Sequence, residues 1–475
     1  MSIDGGNRQD IITRYIYSHR EELLDVLAQL IAIPSVKGTP ESGAPFGVQP
    51  RRALDKMLEI CGRMGFETSC CGDAVGSADL FVGGEPALGI LCHLDVVPAD
   101  ADGWQSDPFV LTQRDGVLYG RGVIDDKGPA VAALFAMRAV RELGIPLKKG
   151  VRLIFGTDEE NGSEDLEIYR RSVKLPPSVF TPDGSFPVIN IEKGMMRSRF
   201  KGSGSGQGSV VRLCGGAIPN AVPEKAEALL DGVGIADVMA AVAEDKTEAE
   251  FSLSEEGGFV RIDCTGRAAH ASTPSGGINA VTALISLVNR LFANGVLAPH
   301  DGVQRDILGG LEGLFPCGET DGASMGLRCC DEKSGGLTCV FSIFGMDING
   351  CSGTVDVRFP TCADLDFVVQ TERRAFASAC CEFEGFMGDE PHCVDEDSEF
   401  VRALLRVYER VEGEKGRCIA IGGGTYVHNI DGGVAFGAER SGTDYHMHGA
   451  DELVTIDELL RDAVLFAEAI AEICG

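Results

Sequence analysis

Short apolar runs and one longer run of helical length alternate between residues 79 and 157, and this alternation restricts the chain to a few architectures. DLFVG (79–83), ALGILCHLDVV (87–97) and VRLIFGT (151–157) are short and continuously apolar, and read as buried strands. PAVAALFAMRAVREL (129–143) is long enough for a helix and is closed by Gly144. Strand, helix and strand in that order predict an α/β fold, a mostly parallel sheet flanked by helices on both faces. Upstream, residues 8–32 carry apolar positions at helical spacing with Pro34 just beyond, and a further helix is expected from Arg51 to Met64.

Near residue 190 the texture changes. KGSGSGQGSV (201–210) is Gly/Ser-rich. The segment to residue 385 then has its own strands (FVRIDCTG, LTCVFSIFGMDI, CSGTVDVRFP) and a helix from Asn279 to Phe292. Beyond it the α/β texture returns, with helix Ser398 to Val411, strand GVAFGAE and helix Ile456 to Ile473. The expected organisation is a discontinuous domain, 1–189 plus 386–475, interrupted by an inserted α+β domain at 190–385. GSGSGQG lacks the G-K-[ST] ending and the GxGxxG spacing of a phosphate loop, and reads as a hairpin or domain-boundary turn.

A chain of 475 residues is long enough for two domains with sizeable cores. Its formal charge of -30, from 42 basic and 72 acidic side chains, repels phosphate and so argues against nucleic-acid and anionic-membrane surfaces. Residues 1–27 show no basic region followed by a continuous apolar core, so no secretory signal is expected, and no apolar run is long enough to span a membrane. The 17 cysteines are scattered, odd in number and without recurring zinc-type CxxC pairs; they read as reduced thiols of a cytoplasmic protein.

Chemistry gathers where these apolar runs end. ALGILCHLDVVP delivers His93 and Asp95 to the tip of a core strand. Four other segments place acid or imidazole groups just past a strand or turn: LYGRGVIDDKGP (Asp125, Asp126), FGTDEENG (Asp158, Glu159, Glu160), FTPDGSFP (Asp183) and GTDYHMHGADE (Asp444, His446, His448, Asp451, Glu452). Singly, each is an ordinary polar turn. Together, three carboxylates and two histidines at sheet-end loops form a ligand set for two divalent metals that share a bridging carboxylate.

The order H-x-D, GRGxxDDKG, an adjacent Glu pair, PDG and H-x-x-[ND]-E resembles the aminoacylase/carnosinase-type co-catalytic dimetal metallopeptidases. LYGRGVIDDKGP, GTDEENG, PDGSFPVINIEKG and AHASTP look most like the PepV-type bacterial dipeptidases. The resemblance runs from Leu91 to Glu452. It implies a zinc-exopeptidase-like catalytic domain with an inserted lid. His93 and Asp183 would hold one metal, Glu160 and His448 the other, and Asp125, rather than Asp126, would bridge them. Zinc is the metal implied, with manganese or cobalt as alternatives. Asp95 would accept from the second ring nitrogen of His93, and Glu159 would be the general base acting on a metal-bridged hydroxide. In the inserted domain, His270 matches an oxyanion-stabilising histidine and Arg358 an arginine for the substrate's C-terminal carboxylate. Asn220 and the backbone of Gly423 and Gly424 would assist. The Asp125–Asp126 peptide is expected to be cis. The implied function is hydrolysis of dipeptides with a free C-terminus; the alternative is an N-acyl-amino-acid amidohydrolase on the same metals, which the length of the insertion weighs against. The implied partner is a small peptide. A monomer whose lid closes on substrate is expected, with a homodimer as the alternative. Two departures stand out: Asp451 occupies a place where many relatives carry Asn, and His446 competes with His448 as ligand, though only His448 has the G-A-D-E continuation.

Overall fold

The computed structural model describes residues 7–82, 84–99 and 103–475. The first six residues, part of the stretch read for a targeting signal, lie outside the described residues. Two compact units emerge. One comprises the chain up to Ile191 with Cys393–Ile419 and Gly424–Gly475; the other comprises Glu192–His392 with Ala420–Gly423. Among the described residues no helix is long and apolar enough to cross a membrane.

In the first unit, strand Pro86–His93 lies between Gly150–Gly156 and Ser178–Thr181, parallel to both. These strands are buried on both faces, which is why their sequences show no polar alternation. Period-2 geometry instead divides their side chains between two cores. Leu88, Ile90 and Cys92 face the larger one, and Leu91 faces a smaller one with Ile154, Leu166, Tyr169 and Tyr426. Helices Lys127–Glu142 and Ile456–Cys474 pack on each other and on the central strand to make the larger core. The sheet turns antiparallel at one edge, where Val75–Leu80 pairs with Gly150–Gly156 and Glu67–Cys71 with Val75–Leu80.

Local departures from the sequence reading have local causes. The helix expected over 8–32 is two helices, Arg8–Ser18 and Arg20–Ile31, because His19 leaves helical geometry (φ -102°, ψ 15°) while its ring Nδ1 lies 2.8 Å from the Tyr15 carbonyl. The strand expected at 79–83 lies earlier, at Val75–Leu80. The strand expected over 433–439 is reduced to Val434–Ala435, since Gly437 adopts φ +96°, outside the extended region.

The second unit is built on an eight-stranded antiparallel sheet. Its order is Glu250–Glu256, Phe259–Thr265, Lys225–Leu230, Val210–Gly215, Thr338–Asp347, Gly350–Phe359, Gly194–Ser203 and Glu382–Asp389. Helices Ala280–Ala293, Val303–Leu314 and Leu365–Ser378 bury their apolar sides in one core with it. Asn279 starts the first of these by accepting the Val281 and Thr282 N–H groups. Two strands separate Gly194–Ser203 from Val210–Gly215, so the Gly/Ser-rich segment between them is a crossover and not a hairpin. Gly204 passes so close to the Ile348 carbonyl that a Cβ there would lie 2.3 Å from its oxygen. Strand Glu382–Asp389 pairs into this sheet, which carries the unit to His392, past the boundary expected at 385.

Candidate metal centre

The parallel strands of the first unit end level with one another, His93 being paired with Gly156. Loops leaving these C-terminal ends carry the candidate ligands, the usual location for ligands in open α/β sheets. Glu159 and Glu160 lie on the 3₁₀ turn Glu159–Asn161 just after Gly150–Gly156, and Asp183 follows Ser178–Thr181 by two residues. Asp125 and Asp126 precede the helix that starts at Lys127, and their peptide bond is cis. His448 comes from the loop before Leu453–Thr455.

Asp125 stands between two histidines. Its Oδ1 lies 2.9 Å from His93 Nε2 and its Oδ2 2.9 Å from His448 Nε2. Asp183 Oδ2 is 3.7 Å from His93 Nε2, and Glu160 Oε2 is 3.4 Å from His448 Nε2. Ligand atoms of His93, Glu159 and Asp183 lie within 4.8 Å of one another, as do those of Asp125, Glu160 and His448. His446 belongs to neither group; its Nε2 is 3.9 Å from Asp444. His93 Nε2 lies off the direction of a hydrogen bond to Asp125, and both it and Glu160 Oε1 are buried without a hydrogen-bond partner. Each such atom costs roughly 1–3 kcal/mol of lost solvation, which coordination of a cation would relieve. The donor set therefore fits two divalent ions with Asp125 shared between them.

Electrostatics give the same reading. Burial, reinforced by Asp125, pushes the Asp183 carboxyl up to about 8. Burial and then Asp183 push Glu159 well above the carboxylate range. The carboxylates of Asp125 and Glu160, which accept from its ring nitrogen, raise His448 to about 11. Burial would raise Asp125 too, but His448 and His93 outweigh it and hold that carboxyl below its ordinary value. The site crowds together carboxyl groups whose ionised forms a bound cation would stabilise.

Neighbouring groups hold this arrangement in place. The carboxylate expected on His93 is elsewhere: the His93 ring Nδ1 meets the main-chain oxygen of Asp95 at 3.0 Å, while Asp95 Oδ1 is 3.6 Å away. That carboxylate accepts instead the backbone N–H groups of Glu159 and Glu160, each at 3.2 Å, because the loop folds those amides over it. Asp95 thus orients the Glu pair, and its carbonyl sets the His93 tautomer. Sequence reasoning missed three other supports. Asp126 Oδ2 accepts the His93 N–H at 3.0 Å. Lys127, wholly buried, donates to the carbonyls of Leu30 and Ile33. Glu452 accepts from Gly122, Ile124 and Arg121, and so fixes the loop that ends at Asp125. The repeated acids of DDKG and ADE were the available signal. Asp451, the departure from the family pattern, turns its carboxylate to the Gln105 N–H at 2.9 Å.

The second unit assembles its own polar group. His270 Nδ1 accepts the Ser272 N–H at 3.2 Å, which leaves the ring proton on Nε2. Asn220 accepts the Ala271 N–H through its carbonyl, and Ala221 bridges His270. Arg358, nearly buried, grips Asp356 through Nε (2.6 Å) and Nη2 (3.2 Å), and its Nη1 donates to the Gly422 carbonyl at 3.0 Å. Three of its five N–H groups are thereby used, leaving one on each Nη. Gly422 packs against Ser272, where a Cβ would approach the Ser272 Cβ to 2.5 Å. Gly423 has open space where a side chain would be.

Residues 89–472 match the model of peptidase family M20/M25/M40. The chain is 33% identical over 466 residues to YtjP of Bacillus subtilis (strain 168), covering 96% of this chain and 97% of that protein. It is 30% identical over 466 residues to the Beta-Ala-Xaa dipeptidase of Lactobacillus delbrueckii subsp. lactis, covering 96% of each. Its fold is similar to that of human carnosine dipeptidase 1, with a TM-score of 0.60 at 18% identity over 99% of both chains. The dipeptidase Dug1p of Saccharomyces cerevisiae shares the fold with a TM-score of 0.59 at 14% identity over 98% of both. A family match spanning both units, on a fold that gathers two groups of side chains able to hold a metal ion, identifies the chain as a hydrolytic enzyme belonging to peptidase family M20/M25/M40.

Proposed function

We propose that this chain hydrolyses the peptide bond of dipeptides with a free C-terminal carboxylate, in a metal-dependent reaction with Glu159 as general base. One observation carries this reading: Asp125 presents one oxygen to each of two histidines, and a Glu159 oxygen lies within 4.8 Å of ligand atoms of His93 and Asp183. His93 and Asp183 would hold one divalent ion and Glu160 and His448 the other, with Asp125 between them. Such ions, when bound, polarise the scissile carbonyl and acidify water. Mixed imidazole and carboxylate ligands favour zinc, with manganese or cobalt as alternatives.

Glu159 takes the proton from the attacking water and passes it to the leaving amine, and its burial gives it the basicity for that task. Asp95 keeps the Glu159 and Glu160 amides in register, so that one carboxylate binds and the other works as base. The proton on His270 Nε2 makes that nitrogen a donor suited to the oxyanion. The two remaining N–H groups of Arg358 suit the substrate's carboxylate, with Asn220, Gly423 and Gly424 as further contacts. Relatives named as dipeptidases support this choice of substrate. Seventeen free thiols support a cytoplasmic setting. The working form is a monomer; sedimentation at assay concentration tests that, and a dimer would revise it.

The test of the function is a panel of dipeptides assayed beside N-acetyl amino acids, before and after chelation. Cleavage of dipeptides that chelation abolishes and Zn²⁺, Mn²⁺ or Co²⁺ restores is expected. Activity that survives complete demetallation would overturn the reading. Glu159→Gln should keep both metals while turnover falls about 10²-fold or more.

A further inference from the structure

Glu439 borders the metal centre, yet it belongs to neither ligand group. Its backbone runs alongside the segment that follows Asp183. The Glu439 N–H donates to the Gly184 carbonyl at 2.8 Å, the Phe186 N–H donates to the Glu439 carbonyl at 2.9 Å, and Ser185 and Glu439 form a parallel bridge. This pairing holds the half-buried carboxylate near Asp183 and Asp125, and the Ser185 hydroxyl donates to its Oε2 at 3.3 Å. No lysine or arginine among the described residues pairs with it. The adjacent Arg440 turns instead to Asp462, at 2.8 Å.

Among the described residues no lysine or arginine gives this carboxylate a cationic partner of its own. The substrate does. In a dipeptide the terminal ammonium is attached one carbon from the scissile carbonyl, or two in a β-amino substrate, so it must lie at the rim of the centre. Building on the dipeptidase reading above, we propose that Glu439 receives the terminal ammonium group of the substrate and selects unblocked dipeptides over N-acyl amino acids. A carboxylate–ammonium hydrogen bond is charge-assisted, whereas an acyl group at the same place leaves the carboxylate facing an apolar methyl.

Glycyl-alanine and N-acetyl-alanine differ at this position only in the ammonium, so they isolate the effect. Zinc-loaded Glu159→Gln protein, with and without Glu439→Gln, is titrated calorimetrically with each compound, and the metal content of every variant is measured. Two metals per chain should remain, glycyl-alanine affinity should fall about tenfold or more on Glu439→Gln, and N-acetyl-alanine affinity should hardly change. Raising the pH through the titration of the dipeptide's amine should weaken glycyl-alanine binding where Glu439 is present and much less where it is Gln. Glu439→Asp should recover part of the preference. Equal loss for both compounds, an unchanged preference, or loss of metal would overturn the proposal. Failure of the wild-type enzyme to cleave glycyl-alanine or any other dipeptide would instead overturn the dipeptidase reading, and the binding preference would still decide the role of Glu439.

Discussion

Glu452 and Arg121 meet at 2.5 Å as an ion pair with almost no exposure (0% and 2%), and the same carboxylate takes the N–H groups of Gly122 and Ile124. Removing one member of a buried pair strands the other. Glu452→Ala is expected to destabilise the chain by about 3–5 kcal/mol and to weaken metal retention, because the loop ending at Asp125 loses its anchor. Urea denaturation and metal analysis of the purified variant check both. Wild-type stability in that variant would show that the pair carries little.

Asp95 offers a second test, of catalysis more than of stability. Asp95→Ala removes the acceptor for the Glu159 and Glu160 amides but spares the carbonyl bonded to His93. Turnover is expected to fall about 10–100-fold, the range for losing groups that orient metal ligands. Steady-state kinetics on metal-saturated protein provides the measurement, and unchanged turnover would mean the Glu pair keeps its place unaided.

Glu372 gives the second unit a pH dependence. It is wholly buried on helix Leu365–Ser378, neither oxygen has a well-directed hydrogen bond, and burial pushes its carboxyl up to about 8. The folded chain therefore holds this proton more tightly than the unfolded chain, whose value is near 4.5. Stability from this group is fully present below pH 4.5 and is lost as pH rises to about 8, amounting to roughly 3 kcal/mol by pH 7. Glu372→Gln should remove that slope, so its stability relative to wild type should improve steadily from pH 5 to 8. A difference that stays flat over this range would refute the assignment.

Gly422 is held between Arg358 and Ser272. A methyl group at 422 would lie 2.5 Å from the Ser272 Cβ, so the loop must shift and the Arg358 bond to the Gly422 carbonyl must lengthen. Gly422→Ala is expected to raise KM for dipeptides roughly tenfold or more, since small misplacements at substrate-positioning groups are costly. An unchanged KM would separate this loop from substrate binding.

The candidate ligands were legible in the sequence because each sits in a short motif at the end of an apolar run, and residue type alone limits what can bind a metal. The supports were not legible. Glu452 and Arg121 are 331 residues apart, and nothing local to either marks the other. Whether Asp95 faces a ring nitrogen two residues away or amides more than sixty residues on is decided by loop conformation, which hydrophobic pattern does not encode. The same limit applied to the fold. Continuous apolar runs marked the buried strands, but the antiparallel edge at Val75–Leu80 and the break at His19 depend on neighbours and single dihedrals.

The partner of Asp125 in the second triad, His448, lies 323 residues further along the chain. Everything from Glu192 to His392 is threaded between them, as a body with its own sheet and core. During synthesis that inserted body leaves the ribosome, and can fold, while the first unit still lacks helix Ile456–Cys474 and has only one of its two triads. The order of translation thus leaves the metal centre incomplete until nearly the whole chain has been made, so a chain stalled before residue 448 carries the Glu159 base and the shared aspartate without a complete pair of metal sites.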